Sequence, residues 1–478
     1  MAEVMEAVGG EAVGGRLAPS SLETRIGGVS TDSREDCAGR LFIPIVGRRH
    51  DGHDHMAAAL ASGAPCALCD RGHAAMAESA APGSGRVILV GDTVKAMGDL
   101  AGAYLRKVRA MGGCGPKVVA VTGSAGKTAT KGLAKAAMQG GGLRVRATEG
   151  NRNNLIGAPQ TVFGLAPGDD VLLLEMGMSS AGEIASLSRM ARPDVAVITN
   201  VGMAHIEGLG SHEGILRAKL EVAWGMAGGV LAVNGDDLRL YGAAAGHGAE
   251  YGVPSGVRVE SFGLGEASGV RGTDVAVGAD GCPAFTVAYR GSVGRARVPA
   301  IGAHGVHNGL AALAAALLVG VRLGDAVAGM AAGETGRMRM EPKPSARLGC
   351  TVIDDTYNAN PESTEASLAA VAAMGCAGRR VAVLGDMLEL GPWAEEAHYA
   401  CGQAAGRLGF DALVAVGAHS GRYGAGAVAG GIAPRRVWEF KDKAEAAEHL
   451  KGFLREGDLA LVKGSRGSAM EDIVALLA

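Results

Sequence analysis

Residues 118–132 read VVAVTGSAGKTATKG, a β-branched run, a tight Gly-Ser-Ala-Gly turn and then a Lys-Thr pair. Gly123 and Gly126, with Ser124 and Ala125 between them, let the backbone turn so that successive N–H groups converge on an anion at a helix N-terminus. Lys127 can reach β- and γ-phosphates, and the Thr128 hydroxyl can ligate Mg²⁺. The general motif has four residues between its glycines. Here there are two, and Val121 stands where the missing glycine would be. The stretch therefore reads as a variant phosphate loop. No Asn-Lys-x-Asp guanine reader accompanies it. Holding a phosphate does not say what becomes of it, so carboxylate, imidazole and amine groups elsewhere must supply the reaction.

Several residues are candidates. VLLLE (from Val171) ends in Glu175, and a carboxylate at the carboxyl end of a parallel strand lies on the ligand side of its sheet. Beside a triphosphate it would serve Mg²⁺, a hard ion that takes oxygen ligands. VAVITN (from Val195) is followed by His205, again just past a strand end. NRNNLIGAP (from Asn151) carries Asn153 and Asn154, which can donate to an oxyanion or cap a helix. His307 and Asn308 open an apolar helix, and Asn308 reads equally as a cap or as an amide facing a base edge. Lys219, in a helical run over residues 213–224, fits worst. Its charge alone favours a solvated helix lysine, because an ammonium repels Mg²⁺.

Three textures position these residues. Residues 1–112 mix short strands and helices, with GVSTDSR, the strand-like RLFIPIVG (from Arg40) and the polar turn HDGHDH ahead of an Ala-rich helix. MGGCGP (residues 111–116) punctuates the chain as a linker. Residues 113–332 contain continuous apolar strands buried on both faces, the mark of a parallel sheet flanked by helices. A β-rich insertion is expected over about residues 257–298. Residues 333–478 alternate strands at TVID, RVAVLG, DALVAVG and DLALVKG with helices, a second doubly wound unit. Asn360 and Pro361 make a helix start there. The expected fold class is α/β in three domains: a small N-terminal α/β domain, a central P-loop domain with a parallel sheet and a β-rich part, and a Rossmann-like C-terminal domain.

Composition narrows the function classes. A formal charge of −3, with both signs spread along the chain, gives no electrostatic case for nucleic acid or an anionic membrane. The first residues are acidic and lack a signal-peptide pattern. LAALAAALLVGV (from Leu310) is too short to span a bilayer. Of eight cysteines only Cys66 and Cys69 form a CxxC; without a second pair, it reads as a buried strand and not as a metal site. A cytoplasmic protein with reduced thiols is expected.

Taken in order, TGSAGKTATK, the amide segment 151–159, LLLEMG, ITNVGMAHIEGLGS, AKLE and HNGLAALAAA resemble the Mur ligases, and the resemblance covers nearly the whole chain. DDTYNANPES (from Asp354) and VLGDMLELG (from Val383) look like the MurF type within that family. TDSR (from Thr31) and DGHD (from Asp51) are similar to the first domain shared by the MurE and MurF types. The resemblance implies ATP-dependent joining of D-alanyl-D-alanine to UDP-N-acetylmuramoyl-tripeptide through an acyl-phosphate. Lys127, Glu175, His205 and Lys219 would carry the chemistry. Two Mg²⁺ ions would be held by Thr128, Glu175, His205 and Lys219, the lysine as a CO₂-derived carbamate. The nucleotide would meet residues 123–128, Asn308, Arg337 and Asp355. Ser33 and Arg34 would sit at the uridine end of the N-terminal, UDP-sugar-binding domain. Asn153 and Asn154, with Asn358 and Asn360 where the dipeptide enters, would meet substrate. A monomer is expected.

This sequence departs from the family pattern at Ala125, commonly Asn or Ser, and at Ala129, commonly Thr or Ser. The rival readings are a MurE-like or folylpolyglutamate synthase-like ligase and a P-loop NTPase without ligase activity. Against the first stands the absence of an Asp-Asn-Pro-Arg motif; residues 388–391 read LELG.

Overall fold

The computed structural model describes residues 1–13, 22–47, 49–82, 84–111, 115–204 and 206–478. His205 and the centre of the expected linker, residues 112–114, lie outside the described residues. The chain divides into two compact units: residues 1–118, 144–177 and 183–193 form one, and residues 119–143, 178–182 and 194–478 the other.

In the first unit, β1 (Glu11–Ala12), β2 (Gly28–Ser30), β3 (Arg40–Phe42), β4 (Ala67–Asp70) and β5 (Val87–Val90) form a sheet in the order β1-β5-β4-β3-β2. It is parallel except for β1. The apolar run expected from Arg40 stops as a strand before Pro44, which has no N–H for a ladder. Cys66 and Cys69 are buried, and burial pushes both thiols up to about 11. They pack as small apolar side chains.

β6 (Lys117–Thr122) leads into the phosphate loop. β7 (Val145–Ala147) and β8 (Val171–Glu175) pair in parallel in the first unit. The second unit continues with β9 (Val195–Ile198), β10 (Gly229–Asn234), β11 (Val257–Gly263), β12 (Val270–Val277), β13 (Pro283–Tyr289) and β14 (Ser292–Arg297), laid side by side in the order β14-β13-β12-β11-β10-β9-β6. Every residue of β9 is buried, as an all-apolar strand in a covered parallel sheet requires. The β-rich stretch expected as an insertion is instead the outer part of this same sheet. β11 pairs in parallel with β10 from Gly229↔Val257 onward, and β12, β13 and β14 complete it as an antiparallel meander. The alternating burial of β13, the strand next to the edge strand β14, reflects a sheet with one half-exposed face, which from sequence looks like a separate module.

A second sheet follows, built from β15 (Glu341–Ser345), β16 (Cys350–Asp355), β17 (Arg380–Gly385), β18 (Ala412–Val416), β19 (Val437–Phe440) and β20 (Leu459–Lys463) in the order β15-β16-β20-β17-β18-β19. All neighbours are parallel except β15 and β16. The sequence reading did not anticipate β15, whose EPKPS contains two prolines. Proline is tolerated because β15 is an edge strand. The helix Pro361–Ala373 begins with Asn360 as cap: its Oδ1 accepts from the Ser363 amide, and Ser363 Oγ accepts from the Asn360 amide. Among the described residues no helix is long and apolar enough to cross a membrane.

β20 lies at the centre of this sheet and Leu461 is fully buried. Leu461→Ala should cost about 2–5 kcal/mol, read as a shift in the urea midpoint of the transition that includes the C-terminal sheet.

Candidate functional site

The phosphate loop follows β6 and ends at α1 (Lys127–Gly140). Gly123 and Gly126 have φ of 145° and 80°, values that L side chains resist. Both also sit against neighbours. A Cβ on Gly123 would collide with Thr199 Oγ1, and one on Gly126 with the Asn308 amide. The turn after β9 braces the loop from beneath. Ser124 N–H donates to Asn200 O at 3.1 Å and Ala125 N–H to Asn200 Oδ1 at 2.9 Å. Thr199 Oγ1 and Asn200 Nδ2 donate to Ala125 O at 2.6 and 3.1 Å. Gly202 N–H donates to Ser124 Oγ, which donates back to Gly202 O. This corrects the expected cradle. The amides of Ser124 and Ala125 are turned inward to Asn200, so the loop offers an anion the N-terminus of α1. Lys127 Nζ folds over the loop, donating to Gly123 O at 2.6 Å and to Ser124 O at 3.3 Å.

Lys219 lies near the end of α2 (His212–Leu220), whose start is capped by Ser211 accepting from the Gly214 amide. Its relative exposure is 0%, and Nζ makes no hydrogen bond to any described residue. The solvated helix lysine considered from sequence is therefore not what the fold contains. Burial, reinforced by the charge of Lys127 and opposed by Glu221, holds the Lys219 amine well below the usual lysine range. The nearby Glu221 is itself buried and accepts from the Gly182 amide at 2.8 and 3.0 Å.

Two further residues reach the same loop and the helix it opens. Asn308 lies inside α3 (Gly305–Leu318), whose N-cap is His304. It is not the cap, and its amide abuts Gly126. His307 beside it bonds Asp236 Oδ2 at 2.8 Å. Arg339 Nη2 donates to Thr128 Oγ1 at 3.1 Å while its guanidinium lies 4.1 Å from the centroid of the Tyr357 ring. Sequence reasoning singled out Arg337, which is exposed. The arginine bonded to Thr128 is two residues further on.

Asp355, expected at the nucleotide, is held by partners within the C-terminal region. Its Oδ2 takes Lys463 Nζ at 2.5 Å and Ser367 Oγ at 2.6 Å, and its Oδ1 takes the Met340 amide at 3.2 Å. Both oxygens are engaged within the C-terminal region, where the pair of Asp355 and Lys463 fixes the ends of β16 and β20. Lys463 also donates to Asn358 O at 3.1 Å. Asn358 is exposed on its turn, whereas Asn360 is buried and its side-chain oxygen caps the helix.

In the first unit, Glu175 ends β8 and is 1% exposed, so it is no surface strand terminus. Asn153 Nδ2 donates to its Oε1 at 2.8 Å. Asn154 is a helix-start residue, accepting the Ile156 and Gly157 amides. Of the two asparagines weighed from sequence, one caps and the other orients the carboxylate. Arg34 pairs with Asp32 at 2.6 Å, which holds the Asp32 carboxyl down at about 2, and Ser33 lies beside them on the same turn.

Among the described residues, Asp51, His53 and His73 form the one group spaced to hold a metal ion. Its geometry opposes that use. The two imidazoles stack in parallel, 3.9 Å apart at 7°, so no single ion can lie in both ring planes. Both bond the Asp51 carboxylate, at 2.7 and 2.9 Å, and His53 Nε2 accepts the Asp70 amide at 3.2 Å.

A parallel α/β unit with a glycine-turn phosphate loop and a following Rossmann-like sheet is the architecture of a P-loop nucleotide-binding protein. The chain belongs to the Mur ligase family. The family models described as "Mur ligase family, catalytic domain", "Mur ligase middle domain" and "Mur ligase, glutamate ligase domain" match residues 25–105, 121–316 and 338–466. The UDP-N-acetylmuramoyl-tripeptide--D-alanyl-D-alanine ligase of Bacillus subtilis is 37% identical over 466 residues, covering 97% of this chain and 96% of the relative. The ligase of the same name from Escherichia coli is 34% identical, covering 94% and 93%. A crystal structure of MurF from Acinetobacter baumannii superposes with a TM-score of 0.85 at 28% identity, covering 99% of this chain and 97% of that one. MurF from Thermotoga maritima in complex with ADP gives 0.78 at 27%, covering 95% and 97%.

Lys219→Met should stabilise the protein in CO₂-free buffer at neutral pH, by about 1–4 kcal/mol. The folded-state pKa is depressed, so the unfolded chain binds more protons at this site, and the wild-type penalty is largest at low pH. The penalty shrinks as pH rises towards 10.5, the ordinary lysine value. Urea denaturation at several pH values should therefore show the gap between variant and wild type narrowing upward. A gap independent of pH would contradict a neutral buried amine.

Proposed function

We propose that this chain joins D-alanyl-D-alanine to UDP-N-acetylmuramoyl-tripeptide at the expense of ATP, in the synthesis of peptidoglycan precursors. The observation that carries this reading is the end-to-end identity to ligases of that name, which includes the C-terminal sheet and not the nucleotide unit alone. The tripeptide carboxylate attacks the γ-phosphorus, the bond to the bridging oxygen breaks and ADP leaves. The dipeptide amine then attacks the acyl-phosphate carbonyl, loses a proton and expels inorganic phosphate.

Such a reaction asks the protein for positioning and charge neutralisation. Lys127, at the start of α1, carries the positive charge suited to the phosphates that the loop would hold. Arg339 is the C-terminal-side cation suited to the same end, with Asn308 proposed for the adenine. Thr128, Glu175, His205 and Lys219 are the proposed Mg²⁺ ligands. Magnesium, when bound, supplies neutralisation of the phosphate oxygens. The buried Lys219 amine, held well below the usual lysine range and without a hydrogen bond among the described residues, fits the carbamate, since neutral nitrogen is the form that adds CO₂ and the product is an oxygen ligand. Asn358 is the proposed contact for the incoming dipeptide, and Ser33 and Arg34 for the uridine end. A cytoplasmic, monomeric enzyme goes with this reading.

The test is phosphate release. Steady turnover should need both the UDP-tripeptide and D-alanyl-D-alanine, and mass measurement should show the joined product. Steady ATP hydrolysis with neither present would favour a plain NTPase instead. Lys127→Ala should lower turnover by several orders of magnitude, and near-normal rates would remove its assigned role. Lys219→Ala should be nearly inactive and partly restored by acetate; an unimpaired variant would exclude the carbamate.

A further inference from the structure

The turn that braces the phosphate loop from beneath is itself held from the C-terminal region. Met203 N–H donates to Glu362 Oε1 at 2.8 Å, across 159 residues of chain. Glu362 is the second residue of the helix Pro361–Ala373, oriented by the Asn360 cap and the fixed φ of Pro361. Gly202 makes the approach possible, because a Cβ there would stand 3.0 Å from the Glu362 carboxyl carbon. Gly202 also exchanges two hydrogen bonds with Ser124 of the phosphate loop. A second contact joins the same regions, Glu207 N–H donating to Glu389 O at 3.3 Å.

We propose that Glu362 is a positioning residue that links the C-terminal sheet to the phosphate loop through Met203, Gly202 and Ser124, so that docking of the C-terminal region tunes nucleotide affinity. Glu362 is exposed, and exposed polar pairs contribute little to overall stability. The bond's consequence lies in where it holds the turn. The inference rests on the nucleotide reading of the loop and not on the identity of the peptide substrates.

The experiment measures ADP binding to the full chain by calorimetry in the presence of Mg²⁺. Glu362→Ala should weaken binding about threefold to tenfold, the range one such hydrogen bond supplies, with the melting midpoint little changed. Glu362→Gln keeps an oxygen acceptor and should stay within about twofold of wild type on the same scale. On a Ser124→Ala background the loss caused by Glu362→Ala should shrink, because the link is already cut. Wild-type affinity in Glu362→Ala, or an equal loss on both backgrounds, would overturn the proposal. These shifts in a protein that forms no amide would overturn the ligase reading while leaving this link in place. Failure of the wild type to bind ADP would overturn both.

Discussion

An amine buried without a hydrogen bond is among the least favourable arrangements a protein interior can contain. Taking its charge out of water costs several kcal/mol, so the group gives up its proton instead. Lys219 stands in that position near the end of a capped helix, its amine held well below the usual lysine range by burial, with the charge of Lys127 adding to the penalty and Glu221 opposing it. Nothing in the packing of α2 requires a lysine there; a leucine or methionine would fill the space with no desolvation cost. An amine at this position points to chemistry rather than stability, and the surrounding structure keeps it out of water.

The phosphate loop shows the complementary economy. Its glycines adopt backbone angles that other residues resist, and close neighbours leave no room for a side chain. The inner amides are tied to Asn200, which stops the turn from collapsing onto itself and leaves the helix start facing outward. Rigidity arises from below the loop, through Thr199, Asn200 and Gly202, and not from the loop's own sequence. Loop, brace and C-terminal helix thus form one chain of short polar contacts, while the parallel strands on either side provide the apolar mass that holds their ends in register.

The second sheet repeats the principle with a different emphasis. Asp355 and Lys463 neutralise each other at adjacent strand ends and fasten the asparagine-rich turn between them. A buried pair with several hydrogen bonds adds little net stability, but it fixes where Asn358 projects. In this way a polar interior organises the turn from which Asn358 is exposed.

Much of this was legible in the residues themselves. Strand, glycine turn and Lys-Thr announce the phosphate loop because each type is demanded by local backbone geometry. All-apolar runs announce buried parallel strands, and Asn-Pro ahead of a helical run announces a cap. Local rules of this kind involve only a few neighbours in the chain, so a linear reading can apply them. What lay beyond it were partnerships over long separations: Arg339 on Thr128, Asn153 on Glu175, the inward turn of the Ala125 amide, and the proline-bearing edge strand β15. Spacing says which residues could meet an anion, but packing decides which side chain arrives and which is already engaged. For Lys219 the two disagree outright: charge alone argues for solvent, and only the folded interior, by excluding water, buries the amine and lowers its affinity for a proton.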